Sequence, residues 1–139
     1  MKRQDCTLTP ALSEFVDSFA QLALELPGQM AAACGEIEQI EARMRILANR
    51  GLVRATPDWR MSRKKTGAHL TLVYSPDATG KRPRKYIGRD PIKVQEALAA
   101  IDRADEYDKL TERLYRLMSK TVAASCDLYK VMQSLSIDT

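Results

Sequence analysis

The chain is expected to fold as an α+β protein, mainly α. An antiparallel, coiled-coil-like helical stalk would carry a small basic two- or three-stranded antiparallel sheet at its tip. Three observations predict this class. Apolar residues recur with heptad spacing on both sides of the chain's middle. That periodicity stops in the middle, where β-formers and turn residues collect. Aromatic residues make up only 6%, with one Trp and two Phe, a supply that suits helices packed through Leu, Ile, Val, Met and Ala better than a large globular core. The 139 residues fit one domain, or a small domain with helical extensions.

The elements follow in order. Residues 1–10 read as a flexible tail, with Thr9 as N-cap and Pro10 at the first helical position. Residues 11–51 are expected to hold the N-terminal helices. Leu12, Val16, Phe19, Ala23 and Leu26 are spaced 4, 3, 4, 3 and share one face. Pro27-Gly28 then predicts a turn or a kink, because Pro lacks the helical donor and its ring crowds the previous turn. A second helix is expected over Gln29 to Asn49. Its seam is Met30, Ala33, Ile37, Ile40, Met44 and Leu47, and Gly51 suits the left-handed position that ends it.

Residues 52–90 are expected to form the sheet. Leu70 to Tyr74 is rich in β-formers, Ser75 to Gly80 is a turn, and Lys81 to Ile87 is the return strand. A short earlier strand fits Trp59 to Arg63. Two strands alone are marginal in water, so a third strand or a covering helix is required. Pro83 cannot donate to a ladder, which places the return strand at an edge or a bulge. Residues 91–139 open with Asp90 as N-cap and Pro91 at the first helical position, and continue as one long helix or a helix pair with a break near Ser119. Its first face is Ile92, Val94, Ala97, Leu98, Ile101 and Ala104. A heptad seam then runs from Tyr107 through Leu110, Leu114, Leu117, Thr121, Ala124, Leu128 and Val131 to Leu135, after a phase slip at Ala104–Tyr107.

Charge separates the middle from its flanks. Between Arg50 and Lys93 stand twelve Lys/Arg and three acids (Asp58, Asp77, Asp90), a net of +9, while the remainder nets −5 to give the whole-chain +4. Clustered like charge opposes compaction, and a polyanion relieves it. Nucleic acid, duplex DNA first, is therefore the expected partner, with an acidic protein surface as the alternative. The residues expected to bind are Arg60, Arg63, Lys64 and Lys65 before the first main strand, then Lys81, Arg82, Arg84, Lys85 and Arg89 on and around the return strand. Strand alternation puts Arg82, Arg84 and Tyr86 on one face and Lys81, Lys85 and Ile87 on the other. A ribbon of this kind fits the major groove, where each bidentate arginine–guanine pair contributes about 1–3 kcal/mol of discrimination. Trp59 and Tyr86 are read as cover for the sheet's apolar face. The seams serve either a hairpin core within one chain or, in addition, a homodimer that sets two basic sheets at a fixed spacing.

Other chemistries find little footing. Cys6, Cys34 and Cys126 are too far apart for metal-ligand spacing and are read as reduced thiols. His69 is the only histidine and has no nucleophile or acid at a suggestive spacing. The six Gly are scattered, so no phosphate-cradling loop forms, and no carboxylate cluster suits a two-metal nuclease. No cofactor and no enzymatic activity are expected. The start of the chain has no uninterrupted apolar stretch, and no segment approaches the roughly 20 apolar residues of a membrane span. The expected location is cytoplasmic, in a bacterium or as a phage-encoded protein.

The segment GAHLTLVYSPDATGKRPRKYIG, followed by a long helix, resembles two groups. One is a set of uncharacterised bacterial proteins, often in mobile elements, with a basic hairpin between coiled-coil helices. The other is the three-stranded sheet plus helix of AP2-like and integrase arm-type DNA-binding domains. The resemblance covers about residues 59–110. It implies that Arg82, Arg84 and Lys85 contact DNA and that Tyr74 and Tyr86 are structural. The chain departs from the integrases in having no catalytic domain, and its coiled helices are foreign to the AP2-like pattern. Taken together, these readings describe a small non-enzymatic DNA-binding protein. The alternative is an accessory or inhibitory module that occupies an acidic surface or a nucleic-acid channel of a partner enzyme complex.

Overall fold

A computed structural model describes residues 10–61, 63 and 67–136. Helix α1 (Pro10–Arg50) leads into strands β1 (Ala55–Met61), β2 (Ala68–Tyr74) and β3 (Arg84–Gly88), and helix α2 (Pro91–Leu135) completes the chain. The protein is α+β and mainly α, with the three strands in one antiparallel sheet of order β1-β2-β3. Thr9, Cys6, Lys64 and Lys65, each assigned a role above, lie outside the described residues.

The two helices run antiparallel. Arg43 donates to both carboxylate oxygens of Glu106 at 2.9 and 3.1 Å, and one heptad further along Arg113 pairs with Glu36. Met30, Ala33, Ile37, Ile40, Met44 and Leu47 face α2 as the heptad spacing required, with Ile40 and Leu47 buried. Pro27-Gly28 does not divide the N-terminal region, and α1 is a single helix with Pro27 inside it. The step from Leu26 to Met30 keeps the seam in phase, and both residues are half-buried. Packing on either side thus holds the helix through a residue that costs it about 3 kcal/mol locally. Gly51 ends α1 as expected: its φ is +101°, a region costly for any residue with a Cβ, and its N–H donates to the Ala48 carbonyl at 3.1 Å. Arg103 adds a cation at this helix end, donating to the Gly51 carbonyl at 2.9 Å.

Helix α2 starts where Asp90-Pro91 predicted, with the Asp90 side chain accepting from the Ile92 N–H at 3.0 Å. It is continuous to Leu135 with no break at Ser119. The phase slip marks a change of partner. Ala100 and Ala104 pack under the sheet and the end of α1, whereas the seam from Tyr107 onward turns to α1.

The core is small and lies at the junction of all elements. Leu70 and Leu72 of the central strand are 0% and 2% exposed, and Ile40 and Leu47 of α1 and Ala100 and Ala104 of α2 complete the buried apolar set. The strands differ from expectation in extent. β1 begins at Ala55 rather than Trp59 because an edge strand tolerates Pro57, whose missing donor faces away from β2. β3 begins at Arg84, so Lys81, Arg82 and Pro83 belong to the loop before it. β3 is an edge strand, and its bulge falls at Ile87, between the Leu70–Gly88 and Thr71–Tyr86 pairs.

Candidate nucleic-acid interface

Strand alternation splits the sheet into two faces. Leu70, Leu72 and Tyr74 point toward the helices. His69, Thr71 and Val73 point outward, and cross-strand register sets Arg60, Asp58 and Thr56 beside them on β1 and Tyr86 and Arg84 on β3. Among the described residues no helix covers this outward face, and Arg60, Arg84 and Tyr86 are exposed.

Asp58 organises it. Its Oδ2 accepts from Arg60 Nε at 3.0 Å and from Arg84 Nη1 at 3.4 Å. One carboxylate thus bridges two guanidiniums across the central strand. Next to them the rings of His69 and Tyr86 lie 5.4 Å apart, tilted by 52°. Trp59 pairs with Leu70 and so lies on the apolar side of the sheet as expected, 50% exposed, whereas Tyr86, 67% exposed, does not cover that side. Tyr86 cannot, because its register with Thr71 turns it outward with Arg84.

The remaining expected contacts are dispersed. Arg63 is exposed in the β1–β2 turn. Arg89 follows β3 at the same end, its side chain lying along Gly67, where a Cβ would stand 3.5 Å from its guanidinium. Lys81 and Arg82 occupy the β2–β3 loop at the opposite end of the sheet. That loop is built on Asp77, which accepts from the Thr79 hydroxyl at 2.6 Å, the Thr79 N–H at 2.9 Å and the Lys81 N–H at 3.1 Å. These donors, the Thr79 hydroxyl foremost, hold the Asp77 carboxyl below the usual carboxylate range. Lys85 points to the helix side of β3, away from Arg84, and borders an apolar groove of about 630 Å³ with Leu72, Tyr74, Ile87 and Ile92.

All three acids of the basic segment are therefore engaged structurally: Asp58 between two arginines, Asp77 in the loop, Asp90 at the start of α2. Arg54 is also committed. It forks onto Asp108 at 2.9 and 3.3 Å and lies over the Tyr107 ring at 5.8 Å, tying the root of β1 to α2. The hydrogen bond from Arg54 lowers the Asp108 carboxyl, and Arg43 does the same to Glu106.

Asp58 is the residue that sequence reasoning missed. It lies outside the expected Trp59–Arg63 strand, and its reach to Arg84 depends on a register set by distant pairing. Among the described residues no group of three His, Cys, Asp or Glu is placed to hold a metal, and no helix is long and apolar enough to cross a membrane. Cys34 and Cys126 are free and exposed. No family model, curated protein or solved structure matches the chain.

Proposed function

We propose that this is a non-enzymatic duplex-DNA-binding protein that engages DNA through the outward face and loops of its sheet and pairs through its helices. The observation that carries the reading is the open outward face, where Arg60 and Arg84 share the Asp58 carboxylate across the central strand. Basic loops stand at both ends of the sheet, with Arg63 at one and Lys81 and Arg82 at the other. Planar guanidiniums suit bidentate contact with phosphates or with guanine edges, and lysines in loops suit phosphates. A three-stranded sheet backed by a helix presents such a face as a rigid unit.

Fluorescence anisotropy of a labelled duplex across a salt series tests it. Neutralising about five phosphates gives a log–log slope of about −4.5. The double variant Arg82→Ala with Arg84→Ala is expected to lose binding while thermal unfolding stays unchanged. Absence of binding at low salt rejects DNA as the ligand and favours an acidic protein surface as the partner of the basic tip.

A further inference from the structure

The stem has two sides, and heptad positions assign them. The Glu36–Arg113 and Arg43–Glu106 pairs occupy the positions just before the seam on both helices and so mark one side. Positions just after the seam mark the other. On α2 that second side reads Tyr115, Met118, Val122, Ser125, Tyr129 and Met132, spaced 3, 4, 3, 4, 3. On α1 it reads Ala20, Leu24, Pro27, Ala31 and Cys34, spaced 4, 3, 4, 3. None of these eleven residues is charged. Tyr115 is 74% exposed, Val122 and Tyr129 62%, Met132 64% and Leu24 77%. Nearer the sheet the same side carries Glu38, Glu41, Arg45 and Asp108.

We infer that this uncharged face of the distal stem is where a second copy of the chain docks, giving an antiparallel four-helix stem with both basic sheets at the same end. This rests on the pairing proposed above and gives it a location and a geometry. Two features select a second copy. The first is size. Residues 114–135 of α2 span about 33 Å, and two helices are about 20 Å across, so the face offers about 660 Å² per copy and about 1,300 Å² in total, within the range of specific interfaces.

The second is charge. Residues 10–35 of α1 carry three acids (Glu14, Asp17, Glu25) and no base, while residues 114–136 of α2 carry Arg116, Lys120 and Lys130 against Asp127, a net of +2. Apposing this side to itself allows two two-fold axes. An axis across the stem lays α1 on the partner's α1 and like charge on like. An axis along the stem lays each α1 on the partner's α2, acid against base, and every neighbouring pair of helices then runs antiparallel. Isologous contact with opposite charges selects the second.

Light scattering and small-angle X-ray scattering of the full chain without DNA test this. The expected result is a dimer about 70 Å long, the length of α2, whereas the axis across the stem gives about 100 Å. Val122→Asp with Tyr129→Asp is expected to yield monomer at concentrations where the parent is dimeric, with helical circular dichroism retained because both residues are exposed in the single chain. Ile46→Asp, nearer the sheet, is expected to leave the mass unchanged. A monomeric parent, a dimer of the longer dimension, or a distal double variant that stays dimeric each overturns the inference. None of these outcomes depends on DNA binding. Failure of the anisotropy experiment would reject the DNA reading and leave the dimer standing.

Discussion

Replacing Asp58 by Asn should tighten DNA binding, although it alters a residue at the centre of the proposed interface. Asp58 neutralises one of the two guanidiniums it holds, so Asp58, Arg60 and Arg84 together present one net positive charge. Asn keeps the size and an acceptor oxygen and raises that to two. One further phosphate neutralised steepens the log–log salt slope by about 0.9, which corresponds to about 15-fold tighter binding at about 50 mM salt and about 4-fold at about 200 mM. The opposing term is lost preorganisation, since Arg60 and Arg84 would be ordered only on binding, at about 0.5–1.5 kcal/mol for each side chain immobilised. Exposed ion pairs hold their partners weakly, and these arginine side chains are 58% and 50% exposed, so most of that ordering cost is already present in the parent. The charge term therefore wins at low salt, and the two variants converge as salt rises. Anisotropy on a mixed-sequence duplex reads both affinity and slope. An unchanged slope, or weaker binding at low salt, would refute the placement of Arg60 and Arg84 against the DNA backbone.

Other outcomes follow from the same geometry. Leu72→Ala opens the core at a residue 2% exposed and should cost about 2–5 kcal/mol, read as a fall of about 10 °C or more in melting temperature. Pro27→Ala restores an interior helical hydrogen bond on an exposed face and should stabilise the protein by up to about 3 kcal/mol in urea unfolding; a loss would mean that α1 needs the proline. The Asp77, Glu106 and Asp108 carboxyls are all lowered in the folded protein. Their contribution is present above the carboxylate pKa of the unfolded chain and disappears as pH falls through the lower folded values. Melting temperature should thus fall on acidification below the usual carboxylate range, and Asp77→Asn should reduce that dependence.

Much of the fold was legible because local chemistry and long-range packing agree. Asp90-Pro91 and Gly51 name helix ends that packing also requires, and the two seams specify each other. Where local and global terms conflict, the local signal misled. Pro27-Gly28 reads as a turn or a kink, yet the seam passes through it in phase from Leu26 to Met30, and α1 continues through it as one helix. β1 begins four residues before the expected Trp59, because Pro57 stands on an edge strand where its missing donor costs no ladder bond. The outward face was legible only in part. Alternation separates Arg84 from Lys85, but the bridging role of Asp58 comes from β1–β2–β3 register, which no local pattern encodes.

A single heptad frame has been put to two uses along the stem. Immediately before the seam, Glu36 and Arg43 of α1 meet Arg113 and Glu106 of α2, whereas one and two heptads toward the distal end the same α1 position holds Gln29 and Leu22. Immediately after the seam, Asp108 anchors Arg54 next to the sheet, and the same α2 position then becomes Tyr115, Val122 and Tyr129. Near the sheet, charged flanks bind the hairpin and the root of β1 to each other and keep other chains away, because an approaching surface would have to desolvate those ions. Away from it, apolar flanks leave one side suited to burial. Packing within one chain explains the seam and the charged flanks but leaves the rings of Tyr115 and Tyr129 exposed. A partner on the distal stem accounts for both halves, and it leaves the basic sheet uncovered at the other end.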